Sequence, residues 1–197
     1  MAVKALRYEA TQGVQQFQRE IEVLSRIRHP HLVLLLGACP ELGCLVHEYM
    51  TNSSLEDHLL PKGNSAPLPW FSRFRIIWEV ASALPFLHSA KPEPIVHRDL
   101  KPANILLDHN SVSKSGDVGI AKIVPTKTTV TMATQYNDTV PVRTFCYIDP
   151  EYQRTGSLEP KCDLYALGIT ILQLLIAKPP IAERVIVETT IENGSFQ

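Results

Sequence analysis

Eight consecutive residues, His97-Arg98-Asp99-Leu100-Lys101-Pro102-Ala103-Asn104, bring a carboxylate, an ammonium and an amide into one short stretch. That set suits transfer of a phosphoryl group to a hydroxyl, in which the protein positions two substrates and neutralises developing charge. Asp99 would accept a hydrogen bond from the attacking hydroxyl and take its proton. Lys101 would reach the transferring phosphate. Asn104 would supply an oxygen to a magnesium ion, which prefers hard oxygen ligands. Taken alone, Asn104 also reads as a turn cap. Downstream, Asp117-Val118-Gly119 puts a second carboxylate ahead of a glycine. Beside phosphates such a triplet suits metal binding, whereas in isolation it is a turn. Asn104 and Asp117 are therefore the candidate metal ligands. Arg98, next to Asp99, would pair with a phosphate added to the segment that follows.

A nucleotide substrate asks for a further cation on its phosphates, and Lys4 in Ala2-Val3-Lys4 is the candidate. Its glutamate partner should come from the helix that follows, where Glu20 and Glu22 compete. At about 100° per residue, Glu20 falls between Phe17 and Leu24 on the inward face and Glu22 points away. Glu20 is the choice.

These residues need elements to hold them. Val14, Phe17, Ile21, Leu24 and Ile27 have helical spacing over residues 14–28. Leu32 to Leu36 predicts a short buried strand closed by Gly37, and Cys44 to Glu48 a second strand. Thr51 to Ser54 would form a hinge and helix start. After a Pro- and Gly-bearing loop at 61–69, a long helix should place Trp70, Phe74, Ile77, Trp78, Ala81, Leu84 and Leu87 on one side. Pro85 should kink or end it, because an interior proline costs about 3 kcal/mol. Ile95-Val96 and Ile105 to Leu107 flank the reactive loop, and Leu164 to Ala177 predicts a buried helix.

The totals narrow the function classes. With 197 residues and formal charge −1, the chain can hold one core, or a small lobe and a larger one. Without a Lys/Arg cluster, nothing asks for nucleic acid or an anionic membrane. Cys39, Cys44, Cys146 and Cys162 form no C-x-x-C pair, which favours free thiols in a reducing compartment over a metal site. Met1 leads straight into Ala-Val-Lys, with no signal peptide. The apolar run Tyr165 to Ala177 is too short to span a membrane. The expectation is a soluble, cytoplasmic protein.

HRDLKPAN matches the catalytic-loop pattern of protein kinases, and Asp117-Val118-Gly119 stands where their D-F-G triplet belongs. Ala2-Val3-Lys4 is similar to the end of the V-A-I-K strand, and Ile148-Asp149-Pro150-Glu151 to A-P-E with Asp for Ala. Thr144 stands where Ser/Thr kinases carry a threonine that contacts the catalytic loop, and Asp163 where a buried aspartate braces its backbone. With IRHPHLVLLLGACP from Ile27, KPEPIVHRDLKPANILLD ending at Asp108 and TFCYIDPEY from Thr144, the chain most closely resembles plant receptor-like cytoplasmic kinases, particularly those fused to a U-box ubiquitin-ligase domain.

The resemblance implies an α+β, bilobal protein-kinase-like fold, with a small β-rich lobe at residues 1–49 and a mainly helical lobe at 50–197 carrying the catalytic loop and activation segment. It implies ATP with magnesium, a protein Ser/Thr substrate, and a possible U-box or upstream regulatory domain in a longer chain. Hinge contacts to adenine would come from Glu48 to Met50, with the gatekeeper position at His47, where these relatives usually carry Tyr. Ala2 and Leu106 would sandwich the base. Seven threonines and two tyrosines between Asp117 and Glu151 suit a regulatory segment, with Thr128, Thr129, Thr131, Thr134 and Thr139 all open to modification.

The same resemblance implies departures. The small lobe would lack the Gly-rich loop and its two strands, leaving about three strands with an exposed edge. The larger lobe would lack its last helices, leaving Glu151 buried without its usual arginine. Val118 replaces Phe, Arg143 replaces a small residue, and Ser115-Gly116 weakens an apolar approach to Asp117. A catalytically silent binding module on a kinase scaffold is the alternative to an active enzyme.

Overall fold

The structure is a computed structural model that describes residues 1–6, 11–60, 67–124 and 145–178. The N-terminal part is a three-stranded antiparallel sheet, β1 (Ala2–Ala5), β2 (Leu35–Cys39) and β3 (Cys44–His47), in the order β1-β3-β2. Helix α1 (Thr11–Arg26) connects β1 to the rest. Its buried stripe is Phe17, Glu20, Val23 and Leu24, continuing to Ile27 just beyond the helix. Val14 and Ile21, expected on that face, are only half-buried at its margins. Glu22 lies on the exposed side and pairs with Arg26 at 3.0 Å.

The strand expected at Leu32 to Leu36 forms instead at Leu35–Cys39, and Gly37 lies inside it, beside a register shift between Leu35 and Gly37. Leu32 and Val33 are buried for a different reason. Their backbone joins the segment around Ser115, with Val33 N–H donating to the Ser115 carbonyl at 2.9 Å. An apolar run marks burial, and here two different partners share it.

Helix α2 (Leu55–Leu59) starts at Ser54, which forms a capping box with Asp57. Helix α3 (Trp70–His88) is the spine of the C-terminal part, and its inward face differs from the expected one. Arg73, Ile76, Glu79, Val80, Ala83, Leu84 and Leu87 are buried, while Trp70, Phe74 and Trp78 are 58, 59 and 67 % exposed. Two charged residues turn inward because each has partners, and buried polar groups persist only when bonded. Arg73 donates to the carbonyls of Leu68 (2.9 Å) and Leu174 (2.7 Å). Glu79 accepts from the Ser113 N–H (2.7 Å) and hydroxyl (2.6 Å).

Pro85 does not end α3, which runs on to His88. Beyond it, Leu87 is wholly buried, worth about 1.5–3 kcal/mol, and His88 Nε2 lies 2.8 Å from Asp163. Together these offset the proline's cost of about 3 kcal/mol.

Short strands carry the remaining framework. β4 (Ile95–Val96) pairs with β7 (Lys122–Ile123), and β5 (Ile105–Leu107) with β6 (Ser113–Ser115). Helix α4 (Pro150–Thr155) is capped by Asp149, and α5 (Lys161–Ile176) packs on α3. The Tyr147 hydroxyl donates to Gln173 on α5. One apolar core runs from Leu24 and Ile27 through Leu55, Ile76, Leu84 and Leu100 to Leu174.

Glu151 is not the buried orphan expected. Its side chain is 51 % exposed and pairs with Lys161 at 3.0 Å. Arg143, Thr144 and the candidate threonines 128 to 139 lie outside the described residues.

Candidate active site

The reactive loop follows β4. Pro102–Asn104 form one 3-10 turn, in which Asn104 N–H donates to the Lys101 carbonyl at 2.9 Å. That turn folds Lys101 and Asn104 back over Asp99. Lys101 Nζ donates to both Asp99 carboxylate oxygens at 2.8 Å. Asn104 Nδ2 donates to the Asp99 carbonyl (2.8 Å) and to Oδ2 (2.7 Å). The carboxylate is thus fixed by two side chains from its own loop.

The loop backbone is braced from α5. Asp163, 1 % exposed, accepts the His97 N–H at 2.8 Å and the Arg98 N–H at 2.9 Å. Arg98 has φ 72°, a left-handed conformation that side chains disfavour. Its guanidinium donates to the Ile120 carbonyl at 3.1 Å. Behind the loop, His97 Nε2 shares a 2.8 Å hydrogen bond with the Ser115 hydroxyl. Ser115 thus has a polar role on the approach to Asp117 that an apolar residue would not fill.

A second cluster forms around Lys4. Its Nζ lies 2.9 Å from Glu20 Oε2 and 2.7 Å from Asp117 Oδ1. Asp117 itself has φ 52°, a backbone outlier held at the mouth of the cluster. A Cβ on Gly119 would stand 3.2 Å from Glu20 Oε2 and 3.3 Å from Asp117 Oδ1, so only glycine leaves that space open. Glu20 carries another partner, His47 Nε2 at 3.2 Å, from the position expected to be the gatekeeper.

The two clusters are joined through the backbone, since the Gly116 N–H donates to the Asn104 carbonyl at 2.8 Å. Asn104 turns its amide nitrogen to Asp99, which leaves its amide oxygen to accept a hydrogen bond or meet a cation. With the half-exposed carboxylate of Asp117 this leaves two hard oxygen groups that would suit a cation. Among the described residues no cluster of three or more His, Cys, Asp or Glu is placed to hold a metal. Two protein ligands nonetheless fit magnesium, which keeps several waters and takes one or two carboxylates plus phosphate oxygens.

The remaining candidates line the link between the parts. Glu48 accepts Lys114 Nζ on both oxygens at 2.8 Å and the Leu34 N–H at 2.8 Å. Its carboxylate is therefore structural, and its N–H donates to the Leu34 carbonyl at 3.0 Å, leaving the Glu48 carbonyl and the backbone of buried Met50 for a ligand. Ala2, opposite His47, and Leu106, opposite Lys114, are both half-buried on their strands.

Electrostatics tie Lys4 to Asp117. Burial works against the Asp117 charge, but the Lys4 charge and hydrogen bond outweigh it and hold the carboxyl below its ordinary 3.8. Burial likewise opposes charge on Lys4, and Asp117 and Glu20 together raise it above 10.5. The Asp117 contribution to stability is present above about 3.8 and lost as pH falls through the lower folded value. The Lys4 contribution is complete below about 10.5 and lost as pH rises through the higher one. Lys4→Met should therefore raise the Asp117 carboxyl, since burial is then opposed only by the Gly119 backbone hydrogen bond and by His97. Carboxyl-carbon NMR across an acid titration reads this directly. An unmoved midpoint would show that Lys4 does not hold Asp117.

A strand-borne lysine held by a helix glutamate, with a braced loop carrying Asp99, Lys101 and Asn104, defines a protein kinase scaffold. The protein kinase domain model matches residues 1–195, and the chain belongs to that family. It has the protein kinase fold, with a small sheet-bearing N-terminal part and a helical C-terminal part. U-box domain-containing protein 35 of Arabidopsis thaliana is 61 % identical over 192 residues, covering 98 % of this chain and 23 % of that protein. U-box domain-containing protein 70 of Oryza sativa subsp. japonica is 50 % identical over 196 residues, covering 100 % of this chain and 24 % of that one. A putative receptor-like protein kinase of Arabidopsis thaliana is 41 % identical over 183 residues, covering 91 % of this chain and 20 % of its own length. The chain thus spans about a quarter of the length of the curated relatives it matches. No helix among the described residues is long and apolar enough to cross a membrane.

Proposed function

We propose that this chain is a kinase catalytic domain that transfers the γ-phosphoryl group of magnesium ATP to serine or threonine hydroxyls of a protein. The observation that carries this reading is the Asp99 carboxylate held by Lys101 and Asn104 on a loop braced by Asp163. Asp99 orients the incoming hydroxyl and takes its proton. Lys101 places positive charge beside the transferring group. Lys4, oriented by Glu20, grips the α- and β-phosphates. Adenine would meet the backbone of Glu48 and Met50, between Ala2 and Leu106. The Asn104 oxygen and Asp117 would hold the metal, which when bound neutralises charge on the phosphates. Arg98 would receive a phosphate added to the activation segment.

We assign residues 1–49 to the small lobe and 50–197 to the large one. The names of the relatives support a U-box domain accompanying this kinase in a longer protein. The cytoplasm, with its ATP and protein substrates, is the compartment this reading implies.

The test is a thermal melt of the purified chain with ATP, with and without magnesium, followed by phosphoamino-acid analysis of a phosphorylated protein substrate. A ligand at a hundred times its Kd stabilises by about 2.7 kcal/mol, or about 5–10 °C for a chain of this size. A magnesium-dependent rise and phosphoserine or phosphothreonine are expected. A melt indifferent to ATP points to a silent binding module, and phosphotyrosine alone overturns the specificity.

A further inference from the structure

We propose that Cys39 and Cys44 form a modification site, a dithiol that a hydroperoxide converts to a disulfide closing the hairpin between β2 and β3. The two residues are direct partners across the antiparallel pair. Side chains so opposed leave the same face of the sheet, with Cα atoms about 4.5–5.5 Å apart. Disulfides need about 4.4–6.8 Å. Register therefore supplies the Cα span, and closure asks the Cβ atoms to draw in from about 4.5–5.5 Å to about 3.5–4.5 Å.

The hairpin end fixes that register. Pro40–Leu42 form a 3-10 turn, and Gly43, at φ 58°, donates its N–H to the Pro40 carbonyl at 3.2 Å. Both thiols lean toward this turn. Cys39 Sγ lies 3.4 Å from Glu41 Oε2, and Cys44 Sγ lies 3.3 Å from the Leu42 carbonyl. Each cysteine is free and half-buried, so a small oxidant reaches both. Cys162 makes the contrast. It is buried, and desolvation pushes its thiol up to about 11, with Asp149 and Asp163 adding to the effect against a backbone hydrogen bond at Glu159. Nucleophilic attack on a peroxide requires the thiolate, so Cys162 stays inert.

The chemistry is a two-electron oxidation of the pair. One thiolate attacks a peroxide oxygen, the O–O bond breaks, and a sulfenic acid forms with release of water or an alcohol. The second thiolate then attacks that sulfur, the S–O bond breaks, and the oxygen leaves as water while the S–S bond forms. The peroxide is reduced and the two thiols are oxidised. In a reducing cytoplasm the product would be transient and restored by thiol exchange. Its position bears on the site, since Cys44 pairs with Ala5 and the next residue, Leu45, with Lys4.

The test treats the native chain with hydrogen peroxide, alkylates the denatured protein and weighs the tryptic peptide His29 to Lys62, which holds both cysteines. The expected product is a monomer whose peptide is unalkylated and lighter by two hydrogen atoms, with alkylation restored by dithiothreitol. Cys39→Ser and Cys44→Ser should each abolish that mass and leave the surviving cysteine as a sulfenic acid trapped by dimedone. A doubly alkylated peptide, separate sulfinic acids on the two residues, or a reducible dimer in place of the lighter monomer would overturn the proposal.

Discussion

Asp99→Asn is expected to lower the rate of phosphoryl transfer by about 10²–10⁴-fold, the range that a positioned proton acceptor supplies. The substitution keeps the size of the side chain and its contact with Asn104 while removing the charge. The proposed ATP site at Lys4, Glu20 and the hinge is untouched, so any magnesium-dependent rise in melting temperature should persist. The loss should fall on kcat, with KM for ATP nearly constant, because an interaction made only in the transition state is the one removed. Lys101, whose ammonium now contacts both Asp99 oxygens, loses its counter-charge, so the resting melt should fall by a few degrees at most. A variant that transfers phosphate within threefold of the parent would show that Asp99 is not the base.

How far such a site can be read from the chain depends on how local its parts are. Asp99, Lys101 and Asn104 sit within six residues of one loop, so their spacing alone marks them as neighbours. Glu20 was reachable by helical arithmetic, because α1 is regular and its inward side is set by Phe17 and Leu24. Partners far apart in sequence were a different matter. Glu48 and Lys114 are separated by 66 residues, and His88 and Asp163 by 75, and charge sign alone offers many equivalent pairings.

The face of α3 failed for a related reason. Apolar spacing puts Trp70, Phe74 and Trp78 on one side of the helix with Leu84 and Leu87. Arg73 and Glu79 take the inward positions instead, because distant carbonyls and Ser113 satisfy them. Burial of a charged residue is a property of its partners, which periodicity does not contain. The same holds for Glu151, whose exposure and pairing with Lys161 follow from how α4 and α5 meet.

Asp163→Ala should be the most destabilising single change among the site residues. The carboxylate accepts both the His97 and the Arg98 N–H, and it also meets His88 at 2.8 Å. Removing one partner from a buried charged network costs about 3–5 kcal/mol. Without that carboxylate, Arg98 also keeps a left-handed backbone that costs roughly 1–3 kcal/mol and is tolerated only while its surroundings enforce it. The melting temperature should therefore fall by about 6–20 °C. Asp163→Asn, which retains one acceptor oxygen, should lose less than Ala. Phosphoryl transfer should fall in both variants at temperatures where they remain folded, since the Arg98 backbone sets the direction of Asp99. A melt within a degree of the parent would mean that the loop holds its shape through His97, Lys101 and Asn104 alone.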